Sequence, residues 1–181
     1  MRMFSCREPQ LCFAHNATAA SAGFATSLDS AAAIRPQPLI SVTDVPRSSR
    51  WYQDLLGCES SHGGEEYERL VRDGRLVLQL HHFAVEHHHG RIGDPELQPY
   101  GNGVALWFEI DDFDAAVRRA EALNAEIALA PHRNPPEGLG GPAHREIWLR
   151  DPDGYLVVLA SPDGESPWPD PRLRDGRECR A

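Results

Sequence analysis

The chain repeats itself. Moving its second half back by 68 positions sets Asp112 on Asp44, Phe113 on Val45 and Leu123 on Leu55. A repeat of that length fixes a whole supersecondary unit, not a single element. In the first half, residues 39–42 read as a short strand. Asp44 caps a helix through SSRWYQDLL that stops at Gly57, and residues 66–71 and 75–82 form strands around Asp73-Gly74. In the second half, residues 104–110 read as a strand, and Asp112 caps a helix over 113–123. Its apolar positions Phe113, Ala116, Val117, Ala120 and Leu123 fall at helical spacing. A short strand is expected at 127–129, a long loop over 131–143, and then a hairpin. That hairpin pairs strands 146–150 and 155–160 around Asp151-Pro152-Asp153-Gly154. Pro152 pre-sets φ, the aspartates can accept from nearby backbone N–H groups, and Gly154 can take a positive φ.

The order β-α-β-β-β, twice, predicts an α+β fold of two βαβββ modules. A single module covers one sheet face with its helix and leaves the other bare. Two modules together can curve their sheets into a trough with a ligand-sized interior. Module one is placed at 37–83, a Gly-, Pro- and His-rich linker at 84–103, and module two at 104–162. Residues 1–36 lack sustained periodicity and are read as a disordered extension, or as the product of a start assigned too far upstream. The Pro-rich, charged residues 163–181 are read as a disordered tail.

Charge narrows the function classes. The net charge is -9 and no basic run occurs, so neither nucleic acid nor an anionic membrane is an expected partner. All 18 basic residues are arginine, which excludes a lysine Schiff base and a P-loop lysine. Cys6, Cys12, Cys58 and Cys179 contain no CxxC pair and suggest no disulfide framework, which fits a reducing, cytoplasmic setting. No apolar run approaches the ~20 residues of a membrane span.

Val42-Thr43-Asp44-Val45, followed by Arg50-Trp51-Tyr52-Gln53-Asp54-Leu55-Leu56-Gly57, resembles the opening of the vicinal oxygen chelate superfamily. Asp151-Pro152-Asp153-Gly154-Tyr155 resembles the hairpin of that superfamily's second module. The group includes glyoxalases, extradiol dioxygenases, and fosfomycin- and bleomycin-resistance proteins. The resemblance covers residues 38–162 and implies the trough fold. It also implies four slots for one divalent ion, on the first and last strand of each module. By the motif these slots fall on Gln37, Gln79, Ala105 and Val158. Two amides and two apolar side chains make a poor set for a divalent cation. The usual metal centre is therefore expected to be absent, with no cofactor in its place. Metal-free relatives often dimerise, so the resemblance implies a homodimer.

Strand alternation suggests the remaining lining. If Gln79 faces the trough, Val77 and His81 do too, while Leu76, Leu78 and Leu80 pack against helix. If Ala105 faces it, so do Trp107 and Glu109, and Leu156 and Ala160 join Val158. The candidate ligand-binding residues are thus Gln79, His81, Trp107 and Glu109, with Arg145 as an anchor for an anionic group. Against these stand plainer readings: His81 as a strand-end residue in water, Glu109 and Arg145 as members of surface ion pairs. His87-His88-His89 reads as a solvated loop, because consecutive residues cannot easily turn to one ion. The favoured function is binding, with transformation left open, of a small organic molecule. The alternative is a metal-dependent lyase, isomerase or dioxygenase with a displaced site using His81 and Glu109. A protein–protein module without a ligand is a third possibility.

Overall fold

A computed structural model describes residues 35–135 and 143–164. The expectations for a disordered extension and tail fall almost wholly outside these residues. The first module contains β1 (Leu39–Val42), α1 (Val45–Leu56), β2 (Glu59–Ser60), β3 (Tyr67–Arg72) and β4 (Arg75–His82). The second contains β5 (Ala105–Glu109), α2 (Phe113–Ala122), β6 (Glu126–Asn134), β7 (His144–Arg150) and β8 (Leu156–Ala160). Two four-stranded sheets result, ordered β1-β4-β3-β2 and β5-β8-β7-β6. In each, the first strand runs parallel to the last and the other neighbours are antiparallel. The repeat in sequence is a repeat in topology.

Both helices begin where their aspartates dictate. Asp44 accepts from the N–H of Arg47 at 2.8 Å, and Asp112 from that of Ala115 at 2.9 Å. Gly57 ends α1 at φ 66°, its N–H bonded to the carbonyl of Gln53. Val45, Ser48, Ser49, Tyr52, Leu55 and Leu56 face inward from α1, and Phe113, Ala116 and Ala120 from α2. The apolar members of these sets meet Ile40, Val42, Leu70, Leu78 and Leu80 of the first sheet and Leu106, Ile147, Leu149, Val157 and Leu159 of the second, in one buried cluster.

The second hairpin turn is a joint between the modules. Oδ1 of Asp151 accepts from the N–H groups of Asp153 and Tyr155, and Oδ2 accepts from the Tyr52 hydroxyl at 2.7 Å. Asp153 takes the hydroxyl and N–H of Thr43. The Tyr155 hydroxyl donates to the carbonyl of Ser41, and Nε of Arg119 to that of Leu55. The Asp-Pro-Asp-Gly-Tyr stretch therefore does more than reverse the chain.

Two expectations need correction. The strand placed at 127–129 runs on to Asn134, so His132, Arg133 and Asn134 belong to β6 rather than to a loop. Pro131 is the first residue of the stretch expected to be a loop. It sits within a register shift on an edge strand, where a missing N–H forfeits no ladder partner. The linker is also not uniformly irregular, because His87–His89 form a single 3-10 turn.

Candidate functional site

Period-two alternation gives each sheet an inner face of aliphatic side chains and an outer face of different chemistry. On the second sheet, His144, Glu146 and Trp148 alternate along β7 with Arg145, Ile147 and Leu149. His132 pairs with Glu146 and Asn134 with His144, from the neighbouring edge strand. Glu146 is fully buried, yet its carboxylate is well supplied with donors. Oε1 accepts from Asn134 at 2.5 Å and from Nε2 of His144 at 2.7 Å, and Oε2 accepts from the Trp148 indole at 2.6 Å. Nε2 of His132 stands 3.6 Å from Oε2. Burial by itself would raise the pKa of Glu146, but the bonds from Trp148, Asn134 and His144 hold it below the ordinary carboxylate value. Burial would likewise depress His144. Its bonds to Glu146 and, through Nδ1, to Asp163 at 2.9 Å raise its pKa instead. A protonated imidazole between two carboxylates satisfies all three groups.

Trp107 projects beside this network. It is 47% exposed and stands edge-on to His144 and Trp148, with ring centres 5.8 and 6.3 Å apart. Together with Glu109, Val77, Arg72 and Arg119 it borders a groove of about 630 Å³ between the modules. That volume lies within the ~300–1,000 Å³ of small-molecule sites. Cys58 also borders the groove, but burial pushes its thiol up to about 11, away from the thiolate form that a nucleophile uses.

The outer face of the first sheet carries a second cavity of about 750 Å³, bordered by Leu39, His62, Tyr67, His81 and the His87–His89 turn. His81 lies within it and is only 3% exposed. Gln79 has both ends of its amide engaged: Oε1 accepts from the Tyr67 hydroxyl at 2.5 Å, and Nε2 donates to the backbone carbonyl of Gln37 at 3.1 Å.

The five residues singled out from sequence therefore do not converge. Trp107 and Glu109 share the inter-module groove, and His81 lies in the other cavity. A displaced centre using His81 and Glu109 together is not assembled. Arg145 lies on the helix side of β7, where Nη1 pairs with Asp114 at 2.8 Å and the guanidinium stacks 4.7 Å from the Phe113 ring centre. It joins strand to helix and does not reach the outer face. The four slots implied by resemblance fare no better for a divalent ion. Ala105 and Val158 have no donor atom, and the Gln79 amide is occupied by Tyr67 and Gln37. Among the described residues, no group of three or more His, Cys, Asp or Glu side chains is placed to hold a metal ion.

Sequence reasoning underused Glu146 and its ring of donors. The signal was present in His132-x-Asn134 and His144-x-Glu146-x-Trp148, two runs of polar or aromatic residues at strand spacing. A single alternating pattern is a weak sign, and only the register of β6 against β7 makes the two patterns one site.

Comparison with known proteins follows the same lines. An anthracycline biosynthesis protein, DnrV of Streptomyces peucetius, is 33% identical over 101 residues, an alignment covering 49% of this chain and 34% of that protein. The chain thus spans about a third of the length of this curated relative. A bleomycin resistance determinant encoded on the transposon Tn5 matches with a TM-score of 0.52 at 19% identity, over 72% of this chain and 98% of that one. Lactoylglutathione lyase from Agrobacterium tumefaciens matches with a TM-score of 0.53 at 20% identity, over 72% and 93%. At such identities the two structures establish the shared fold. The family model for the Glyoxalase/Bleomycin resistance protein/Dioxygenase superfamily matches residues 31–159, and the chain belongs to that superfamily.

Proposed function

We propose that the protein binds a small organic molecule in the inter-module groove, with a flat part of the ligand laid against Trp107. The observation that carries this reading is the half-exposed indole at the edge of a ligand-sized groove. A large aromatic surface left in water is costly unless something covers it, and indole faces stack well on flat rings. Arg72, Arg119 and Glu109 supply charge around the apolar wall. The names of the relatives suggest an anthracycline and a bleomycin as first probes. Calorimetry should give saturable binding to one of a panel of polycyclic and glycopeptide probes, weakened at least tenfold by Trp107→Ala. Binding that is indifferent to Trp107→Ala would remove the groove from consideration.

Transformation of the ligand is a second reading, favoured by the proton-bearing His144–Glu146 pair beside Trp107. Chromatography of a bound probe before and after incubation, with His144→Gln as control, separates binding from turnover. We further propose a cytoplasmic homodimer in which a second copy covers part of the exposed surface away from the groove, where Leu39 and Leu129 meet solvent. Light scattering should give twice the chain mass. No described helix is long and apolar enough to cross a membrane.

A further inference from the structure

We infer that His81, His87 and His89 form a binding site for a borderline divalent transition metal of the zinc type, outside the four slots that resemblance implies. The argument starts from the unpartnered atom. Nε2 of His81 is buried and has no hydrogen-bond partner. A buried polar atom without a partner is costly in a folded protein and marks a place where something else belongs. Nδ1 of His81 lies 2.9 Å from the carbonyl of His82. A carbonyl can only accept, so Nδ1 carries the proton and Nε2 presents a bare lone pair. His89 repeats the arrangement, with Nδ1 2.7 Å from the carbonyl of Gly90. Fixing one ring nitrogen on a backbone carbonyl so that the other faces a metal is the usual outer support of a ligating histidine.

The third ring completes a triangle. Ring centres lie 5.1 Å apart for His81 and His89, 5.6 Å for His81 and His87, and 5.9 Å for His87 and His89. With metal–nitrogen bonds of about 2.1 Å, each imidazole centre stands about 3.2 Å from the ion, and tetrahedral angles then separate the centres by about 5.3 Å. The observed triangle is close to that requirement. As the rings stand, the three histidines are not placed to hold an ion, and binding requires the turn to bring its donor nitrogens toward Nε2 of His81. His87 and His89 are exposed on a short turn, so a shift of the turn supplies the adjustment while the bond from His89 to Gly90, within the same segment, moves with it. The turn itself departs from what the sequence suggested. Three consecutive histidines on an extended strand would point alternately, but here His87 sits at φ 38°, a left-handed conformation unusual for a residue other than glycine. The chain thereby folds back, and the first and third rings both meet His81. Among the described residues, His88 stacks only against His89.

Three imidazoles suit zinc, copper, nickel or ferrous iron, and three protein ligands leave a position open toward the cavity that holds Tyr67 and His62. This inference does not rest on the ligand proposed for the Trp107 groove, which lies elsewhere and is tested with metal-free protein.

The test uses the full chain without an affinity tag, titrated with zinc by calorimetry and with cobalt by visible absorption. One equivalent should bind, with the intense visible bands of four-coordinate cobalt. His87→Ala and His89→Ala, both at exposed positions, should each weaken zinc at least tenfold, and His88→Ala should leave it within twofold. His81→Ala should abolish the cobalt bands. If that variant fails to fold, the three surface variants decide the matter alone. Loss of binding in His88→Ala equal to that in His87→Ala would mean a histidine run chelating adventitiously and would overturn the site. So would the absence of stoichiometric zinc binding, or zinc binding that survives loss of His89.

Discussion

The hydroxyl of Tyr52 on α1 donates to Oδ2 of Asp151 across 99 positions of sequence, at 2.7 Å, with both side chains buried. The bond fastens the helix of one module to the hairpin turn of the other. Burial raises the carboxyl of Asp151 above its ordinary value even though Tyr52, Tyr155 and Asp153 all donate to it. Ionised Asp151 therefore opposes folding. Its unfavourable contribution is absent below the ordinary carboxylate pKa and develops as pH rises through the folded value. Tyr52→Phe removes one of the donors that contain this effect. Urea denaturation should show a loss of about 1–3 kcal/mol at neutral pH, and a smaller loss near pH 4, where a protonated carboxyl needs the donor less. An equal loss at both values would place the effect in packing rather than in the hydrogen bond.

The His144–Glu146 pair should confine its stabilisation to a window of pH bounded on both sides. The pKa of His144 is raised, so its contribution is complete below the ordinary imidazole value and fades as pH climbs through the folded value. The pKa of Glu146 is lowered, so its contribution is complete above the ordinary carboxylate value and fades as pH falls through the folded one. Both act together between about pH 4.5 and 6.5. Wild type should lose part of this stabilisation between pH 6 and pH 8, whereas His144→Gln should not respond over that interval. Glu146→Ala strands the donors of Trp148, Asn134 and His144 and should cost about 3–5 kcal/mol. Denaturant midpoints across pH measure both.

Arg145 and Trp107 separate stability from recognition. Arg145 is spent on Asp114 and Phe113. Arg145→Ala should lower stability by about 1 kcal/mol, since Asp114 is largely exposed, and leave the affinity of any groove ligand unchanged. Trp107→Ala should do the reverse, weakening the ligand with little effect on stability. Parallel calorimetry and denaturation of the two variants would show whether the sequence-based expectation for Arg145 or its structural position governs.

What the sequence made legible follows from the range of the interactions. Asp44, Gly57, Asp112 and the Asp-Pro-Asp-Gly turn act on their immediate neighbours, so caps, turns and most strand positions could be read directly. The 68-residue repeat then carried these local signals to a topology. Alternation placed Gln79 with His81 and Trp107 with Glu109, each pair on one strand, but alternation cannot say how far apart two sheets lie. Trp107 and Glu109 consequently border one cavity and His81 another. Arg145 and Glu146 are neighbours on β7 that serve opposite faces: of the two readings open for Arg145 the structure displays an ion pair, with Asp114, while Glu146 supports the outer network. His87–His89 are exposed, as a polar linker suggests, but the positive φ that turns the chain at His87 leaves no trace in composition.

Gly101 offers the sharpest test of the joint between linker and core. Its φ is 64°, and a Cβ added there would land within the ring of Tyr155. Tyr155 cannot withdraw freely, because it is buried, its hydroxyl donates to the carbonyl of Ser41 at 2.9 Å, and Tyr100 stands beside it. Gly101→Ala therefore combines left-handed backbone strain with displacement of a side chain that ties module two to β1, and should cost about 2–4 kcal/mol. Gly103 is the internal control. Its φ is 83°, but nothing lies within 4 Å of an added Cβ. Gly103→Ala should bear the conformational term alone, about 1–2 kcal/mol. Denaturation of both variants measures the difference between them, and Tyr155→Phe, which removes only the bond to Ser41, shows how much of it comes from the hydroxyl. If Gly101→Ala and Gly103→Ala prove equally destabilising, the linker does not pack on Tyr155 in solution.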